Sequence, residues 1–182
     1  AKKLDEFKLV HFGQGEFNLD SIRGGWSLFF FGYTRCPDVC PTELFMLAEM
    51  MRQIEQNPDA VKAVPQVVFV SVDPQQDSPE ALQKYTSYYH KSFKGVTGAQ
   101  EEVDRLLAVM GAFYERAYHL YGKPLIIEEG AGVSEGMEDS YLINHTASII
   151  LTNPDGDMHA VFSTPHVPEV MLRDLAAMQK AW

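Results

Sequence analysis

The chain has 182 residues, 46% hydrophobic and 12% aromatic, so a single domain with a substantial core is expected over residues 1–182. Its formal net charge is -10, with 15 basic against 25 acidic residues, which argues against binding to nucleic acid or anionic membrane surfaces. No stretch approaches the roughly 20 apolar residues of a membrane span, and a first residue of Ala1 leads us to expect a processed or trimmed chain.

The first predicted elements are two strands that lead to the only two cysteines. Residues 16–22 alternate between apolar and polar as a half-buried strand does, and residues 23–25, RGG, predict a turn. Residues 26–31, WSLFFF, predict a buried strand that Gly32 ends. Both cysteines follow in the segment CPDVCP, residues 36–41. We therefore expect the thiols at a turn between a core strand and a helix.

The helix after the cysteines is predicted to begin at Pro41, because proline suits the first helical position, and to stop at Asn57. This register makes Cys40 a helix N-cap, where free amides and the helix dipole would lower the pKa of its thiol below about 8.5. Cys36, four residues earlier, can fold back towards Cys40. Whether the pair closes as a disulfide or opens to hold a metal stays open, because it depends on a Cα separation below about 7 Å.

Further elements alternate between strand and helix. Residues 65–73 form a continuous β-branched run, which predicts a strand buried in a parallel sheet. Ser78, followed by a proline, predicts the capped start of a helix, and residues 101–110 predict another. Residues 120–140 contain four glycines and many acids, which predicts a loop or a short hairpin insertion.

The end of the chain predicts a hairpin and a last helix. Residues 146–152 and 158–163 flank the turn sequence NPDG at 153–156, and Pro168 begins the helix. The order of elements is that of an α/β, thioredoxin-like fold. We expect a central mixed sheet flanked by helices, with an N-terminal strand extension and a loop or hairpin insertion before His145.

Three segments resemble the signature segments of the SCO/SenC family of copper-binding assembly proteins, in order and in spacing. They are YTRCPDVCP at 33–41, SVDPQQDSPE at 71–80 and YLINHTA at 141–147. The resemblance implies a thioredoxin-like fold and a copper site formed by Cys36, Cys40 and His145. It also implies a role in maturing the binuclear copper centre of cytochrome c oxidase. One departure is Asn144, where many relatives have an aspartate.

Copper chemistry fits this ligand set independently, because thiolates suit Cu(I) while an imidazole suits Cu(II), so one site could hold either state. Asp73 and Asp77 match acidic family positions and are predicted to lie near the site. The other histidines have no such context and are interpreted as surface or packing residues: His11, His90, His119, His159 and His166.

Two functions compete on this sequence. The first is a copper metallochaperone, and the second is a thiol-disulfide oxidoreductase that cycles Cys36 and Cys40 through a disulfide and keeps the oxidase's copper-ligand cysteines reduced. The three-residue spacing of the cysteines and the absence of a proline just before Thr146 argue against a general oxidoreductase. Residues 39–43 also resemble the peroxidatic segment of peroxiredoxins, but Pro37 stands where those enzymes have a threonine, so peroxidase activity is disfavoured.

The resemblance also implies partners and a location. The expected partner is the subunit of cytochrome c oxidase that carries the copper centre, with a copper donor chaperone or a thiol reductant as a further partner. We expect the bacterial periplasm, with an inner-membrane anchor that this sequence does not contain, and the mitochondrial intermembrane space is the alternative. The sequence as given is expected to behave as a soluble monomer.

Overall fold

The structure is a computed structural model that describes the backbone of residues 1–120, 123–127, 141–145 and 147–182. Side chains are described for residues 1–115, 145 and 147–182. Most of the predicted acidic insertion, at residues 128–140, lies outside the described residues. Within the described ranges, none of the helices combines the length and apolar character needed to cross a bilayer.

The described residues form ten strands and four α-helices. The strands are β1 (Lys8–His11), β2 (Gly15–Asn18), β3 (Ser27–Gly32), β4 (Gln66–Ser71), β5 (Lys94–Thr97), β6 (Tyr114–Leu120), β7 (Lys123–Ile127), β8 (Tyr141–His145), β9 (Ile149–Thr152) and β10 (Met158–Phe162). The helices are α1 (Val39–Gln56), α2 (Pro79–Tyr89), α3 (Gln100–Met110) and α4 (Pro168–Ala181).

Seven strands form one mixed sheet in the order β10-β9-β3-β4-β5-β1-β2. The pairs β3–β4 and β4–β5 are parallel, and the outer pairs are antiparallel. Every residue of β3 and β9 is buried. Because successive side chains of a strand point to opposite faces, the centre of the sheet is covered on both sides. The prediction of a central mixed sheet flanked by helices is confirmed.

A second, three-stranded antiparallel sheet has the order β7-β6-β8 and immediately precedes the last hairpin of the large sheet. Within the insertion predicted at residues 120–140 the structure describes β7, which pairs antiparallel with the preceding β6. The hairpin predicted around residues 153–156 is confirmed as the antiparallel pair β9–β10. His145 itself is the last residue of β8.

One strand prediction near the N-terminus is also wrong. The strand predicted over residues 16–22 ends at Asn18 as β2, and a turn of 3-10 helix follows at Leu19–Ser21. The cause is the Asn18 side chain, which accepts hydrogen bonds from the amides of Asp20 and Ser21 and so caps the turn. Strands β1 and β5 were not predicted.

The fold brings the chemical groups to one edge of the large sheet. The parallel strands β3 and β4 end side by side, so the loop at residues 33–38 and the loop at residues 72–78 leave the same edge. Helix α1 begins after the first loop and α2 after the second. The predicted Ser78 cap of α2 is confirmed, since its hydroxyl accepts the amide of Ala81 at 3.1 Å. An edge where neighbouring parallel strands end is a common place for a binding site.

Candidate metal centre

The cysteine loop connects the end of β3 to α1. Its first turn is closed by the amide of Cys36, which donates to the carbonyl of Tyr33 at 3.2 Å. Helix α1 begins at Val39, with Asp38 as its N-cap, so the predictions that the helix begins at Pro41 and that Cys40 is the cap are wrong. Proline lacks an amide donor, and the amides of the whole first turn have no partner within a helix, so Pro41 fits inside that turn as well.

The two cysteines are free thiols with different environments. Cys36 is 8% exposed and its sulfur accepts the amide of Cys40 at 3.4 Å, while Cys40 is fully buried. A hydrogen bond from the Cys40 thiol, helped by His145 and the amides and opposed by burial, lowers the pKa of Cys36 to about 4. Burial is the main cause that raises the pKa of Cys40 well above the ordinary thiol value. The predicted lowering of the Cys40 pKa is therefore wrong, and the lowered pKa belongs to Cys36.

His145 lies beside both sulfurs. Its Nε2 atom is 3.1 Å from Cys40 Sγ and 3.7 Å from Cys36 Sγ. Its ring meets the edges of two aromatic rings, with centroids 5.8 Å from Phe30 and 6.1 Å from Tyr33. These rings limit the orientation of the imidazole, and the three donor atoms of the predicted ligands lie within 4.8 Å of one another.

The small sheet positions His145. In the β6–β8 pair His145 is in register with Tyr114, the first residue of β6. The hydroxyl of Tyr114 donates to Asp104 on α3 at 2.9 Å and accepts a hydrogen bond from Gln100 at 2.8 Å. Strand β6 is thereby attached to α3, and β8 is aligned on β6. The side chain of Asn144 lies outside the described residues.

Asp77 holds the cysteine loop against the neighbouring loop. The carboxylate is 1% exposed and accepts hydrogen bonds from the Thr34 amide at 3.0 Å, the Thr34 hydroxyl at 2.5 Å and the Ser71 hydroxyl at 2.6 Å. Asp73 is equally buried, and its amide donates to the Ser71 hydroxyl at 3.1 Å. Asp77 thus acts on the site indirectly. It binds the backbone amide and the hydroxyl of Thr34 and so holds in place the loop that carries Cys36.

A histidine-glutamate pair supports α1 just beyond its first turn. His166 Nδ1 lies 2.7 Å from the carboxylate of Glu43, and its Nε2 lies 3.0 Å from the carbonyl oxygen of Phe162. Burial alone would lower the pKa of His166, but these two partners outweigh it and raise that pKa above its ordinary value. The pair joins α1, three residues beyond Cys40, to the segment between β10 and α4.

The structure brings together the predicted ligands Cys36, Cys40 and His145, and it places Asp77 against the cysteine loop, but the sequence analysis did not predict the Glu43–His166 pair. The sequence analysis assigned no role to Glu43 and interpreted His166 as a surface or packing residue. No local pattern links residues that are 123 positions apart. A negatively charged side chain on the apolar side of α1 was the one signal that could have indicated a buried partner.

The donor set suits a soft or borderline metal ion. Metal-sulfur and metal-nitrogen bonds of about 2.0 to 2.3 Å allow one ion to bridge atoms at the observed sulfur-nitrogen separations. Thiolates favour Cu(I), and an imidazole favours Cu(II), so these residues fit copper in either state. Cys36, with its low pKa, offers a thiolate directly, whereas Cys40 must lose its proton as metal binds. Binding therefore weakens as pH falls.

Comparisons with known proteins agree on one family. The SCO1/SenC family model matches residues 1–180. The mitochondrial SCO2 homolog of mouse is 35% identical over 165 residues, which cover 85% of this chain and 58% of that protein. The chain spans just over half the length of the mouse and human mitochondrial relatives that it matches.

The solved structures that cover the whole chain include two Sco proteins more than 25% identical to it. The structure of Bradyrhizobium japonicum ScoI with copper bound is 27% identical, has a TM-score of 0.73 and is matched over 100% of this chain and 99% of its own. Apo Sco1 from Thermus thermophilus is 32% identical, with a TM-score of 0.69 and coverage of 100% and 95%. The thioredoxin-like fold predicted from the order of elements is confirmed. With nearly every residue matched by the family model, the chain belongs to the SCO1/SenC family.

Proposed function

We propose that this chain is a copper metallochaperone that binds one copper ion through Cys36, Cys40 and His145 and delivers it to the binuclear copper centre of cytochrome c oxidase. The observation that carries the proposal is the meeting of two thiols and one imidazole, within 4.8 Å, at the edge of the sheet. The copper-bound ScoI of Bradyrhizobium japonicum is a relative of the same fold and length, which supports copper as the cargo.

The partner and the location extend the same proposal. Sco proteins are a family of cytochrome c oxidase assembly proteins, so the acceptor is the oxidase subunit that carries the copper centre. A copper donor chaperone or a thiol reductant would act before it. Relatives include mitochondrial proteins and a bacterial SCO1/SenC lipoprotein. We place this chain in the bacterial periplasm, tethered to the inner membrane, with the mitochondrial intermembrane space as the alternative.

An anaerobic copper titration of the reduced protein tests the ligand set. Cu(I) binding is measured by competition with a chelator, and Cu(II) binding by its thiolate charge-transfer absorption. We expect one equivalent to bind tightly, and the Cu(II) band to be lost in His145→Ala. His159→Ala is the matched control, because His159 packs on Trp26, beside the opposite end of β3. Copper that only oxidises the thiols and leaves no bound metal would overturn the chaperone proposal.

A second function, thiol-disulfide reduction, is favoured by the contrast between the two thiols. The Cys36 thiolate can attack a disulfide of the partner, forming a mixed disulfide and releasing one partner thiolate. Cys40 then loses its proton and attacks Cys36, which releases the second partner thiolate and leaves a Cys36–Cys40 disulfide. The partner disulfide is reduced by two electrons, and the cysteine pair is oxidised by two.

His145→Ala separates the two functions. The variant keeps both sulfurs, so it should still reduce a disulfide peptide that carries the two cysteines of a copper ligand loop. Copper binding should be strongly weakened in the same variant. Equal copper binding by His145→Ala and wild type would contradict the proposed ligand set. If, in addition, disulfide reduction depends on Cys36 and copper binding does not, reductase activity is the better assignment.

A further inference from the structure

Gly32, the last residue of β3, lies directly against the sulfur of Cys40. A methyl group built on Gly32 would stand 2.5 Å from Cys40 Sγ and 2.8 Å from Cε2 of Phe69. Real side chains do not tolerate such separations, so one of the neighbours would have to shift. The backbone at Gly32 is not in the left-handed region that favours glycine, unlike that of Gly111. Space alone therefore requires a glycine here.

The surroundings restrict which neighbour can give way. Phe69 is fully buried, and its ring packs between Phe30 and Tyr85, with centroids 6.1 and 5.6 Å away. Gly32 is fixed by parallel pairing with Ser71, and its carbonyl accepts the amide of Val72 at 2.9 Å. The short side chain of Cys40 can still rotate about its Cα–Cβ bond. An added methyl would therefore displace the sulfur.

The sulfur that would move is the one closest to the imidazole. Cys40 Sγ lies 3.1 Å from His145 Nε2, whereas Cys36 Sγ lies 3.7 Å from it. Phe30 and Tyr33 contact the His145 ring and limit its ability to follow the sulfur. A shift of Cys40 would change the spacing of a donor pair that must share one ion.

We propose that Gly32 is a positioning residue for the metal centre: the space left by its missing side chain holds the Cys40 sulfur and sets its distance from His145. The metal part of this inference rests on the proposed copper function, while the contact with the sulfur does not. Gly32 contributes no ligand. It acts through Cys40, in the way that residues around a metal site orient the ligands.

Copper binding by Gly32→Ala tests the metal part. We expect affinity to fall by about 10- to 100-fold, the usual cost of disturbing a supporting residue. The thiolate charge-transfer band of Cu(II) should also shift, which a purely structural role would not produce. Gly25→Ala is the matched control, because nothing lies within 4 Å of a methyl group there. Unchanged affinity and an unchanged band in a folded Gly32→Ala protein would overturn the proposal.

Urea unfolding of the reduced, metal-free protein tests the contact with the sulfur separately. Gly32→Ala is made in the wild-type and in the Cys40→Ala background, where the sulfur is absent. We expect a smaller fall in the urea midpoint in the second background, and a folded double variant even if the single variant does not fold. Equal falls in both backgrounds, or a double variant that is also unfolded, would overturn it. If wild type binds no copper, the proposed function fails, while this comparison still decides the role of Gly32.

Discussion

The Nε2 atom of His145 lies 3.1 Å from the sulfur of Cys40, although the two residues are 105 positions apart in the chain. The sulfur belongs to the first turn of α1, which follows β3 of the large sheet, and the imidazole belongs to the end of a strand in the small sheet. An unfolded chain does not hold the two groups close together, so metal binding and folding are coupled.

Copper should therefore stabilise the folded protein. A ligand that binds only the native state adds about 4.1 kcal/mol to the free energy of unfolding when it is present at 1,000 times its dissociation constant. We expect the urea midpoint of the reduced protein to rise with Cu(I), and to return after removal of copper by a strong chelator. A similar rise in His145→Ala would contradict a three-ligand site.

The thiol of Cys36 should be the more reactive one at mildly acidic pH. A thiol with a pKa of about 8.5 is thiolate to less than about 1% at pH 6, whereas Cys36, with a pKa of about 4, is almost fully ionised. Iodoacetamide at pH 6, followed by peptide mass spectrometry of the metal-free protein, should modify Cys36 first and leave buried Cys40 largely unmodified. Labelling of both at one rate, or of Cys40 first, would show that this contrast is wrong.

Replacing Asp77 with alanine should loosen the cysteine loop. The change leaves the amide and hydroxyl of Thr34 and the hydroxyl of Ser71 without their acceptor, at a cost of about 2 to 4 kcal/mol in the free energy of unfolding. We expect copper affinity to fall by about 10-fold or more in the folded variant. Asp59→Ala, on the exposed turn after α1, is the control, and it should change neither the free energy of unfolding nor the copper affinity. An Asp77→Ala protein with wild-type stability would exclude this role.

The His166–Glu43 pair should make stability depend on pH. The folded-state pKa of His166 is raised above its ordinary value of 6.5. The protonated imidazole therefore contributes its full stabilisation of the folded protein below pH 6.5. This stabilisation is lost as pH rises through the folded-state pKa. The free energy of unfolding of wild type minus that of His166→Gln should therefore shrink between pH 6 and pH 8.5. A difference that stays constant or grows over this range would reverse the sign that we assign.

The local patterns that predicted helices and strands correctly share one property, namely that each is compatible with few alternative structures. The apolar run before Gly32 fits a buried strand only, the Ser78-Pro79 pair fits a helix start, and the turn at residues 153–156 fits a hairpin. Strands β1 and β5 were missed because each has only four residues, KLVH and KGVT, in which apolar and polar residue types do not clearly alternate. Their pairing is decided by neighbouring strands that lie far away in the chain.

For the site, the sequence predicted three donor residues, which the structure brings together, but not the difference between the two thiols. Two cysteines in one short loop look equivalent, and the N-cap argument assigned the lower pKa to Cys40. Burial decides the matter, since it raises the pKa of Cys40, while Cys36 receives hydrogen bonds that stabilise its charge. The space at Gly32 was equally out of reach, because the glycine also fits the simpler role of ending a strand.

The graded exposure of the three donors has a kinetic consequence. Cys40 is fully buried, Cys36 is 8% exposed, and His145 is the most accessible of the three. Under the proposed function, an incoming ligand of the acceptor would therefore replace the imidazole first, the Cys36 thiolate second and the Cys40 thiolate last. Copper would then pass to the acceptor by stepwise substitution of its ligands. Under the proposed function, the rate of transfer would then depend on the concentration of the acceptor.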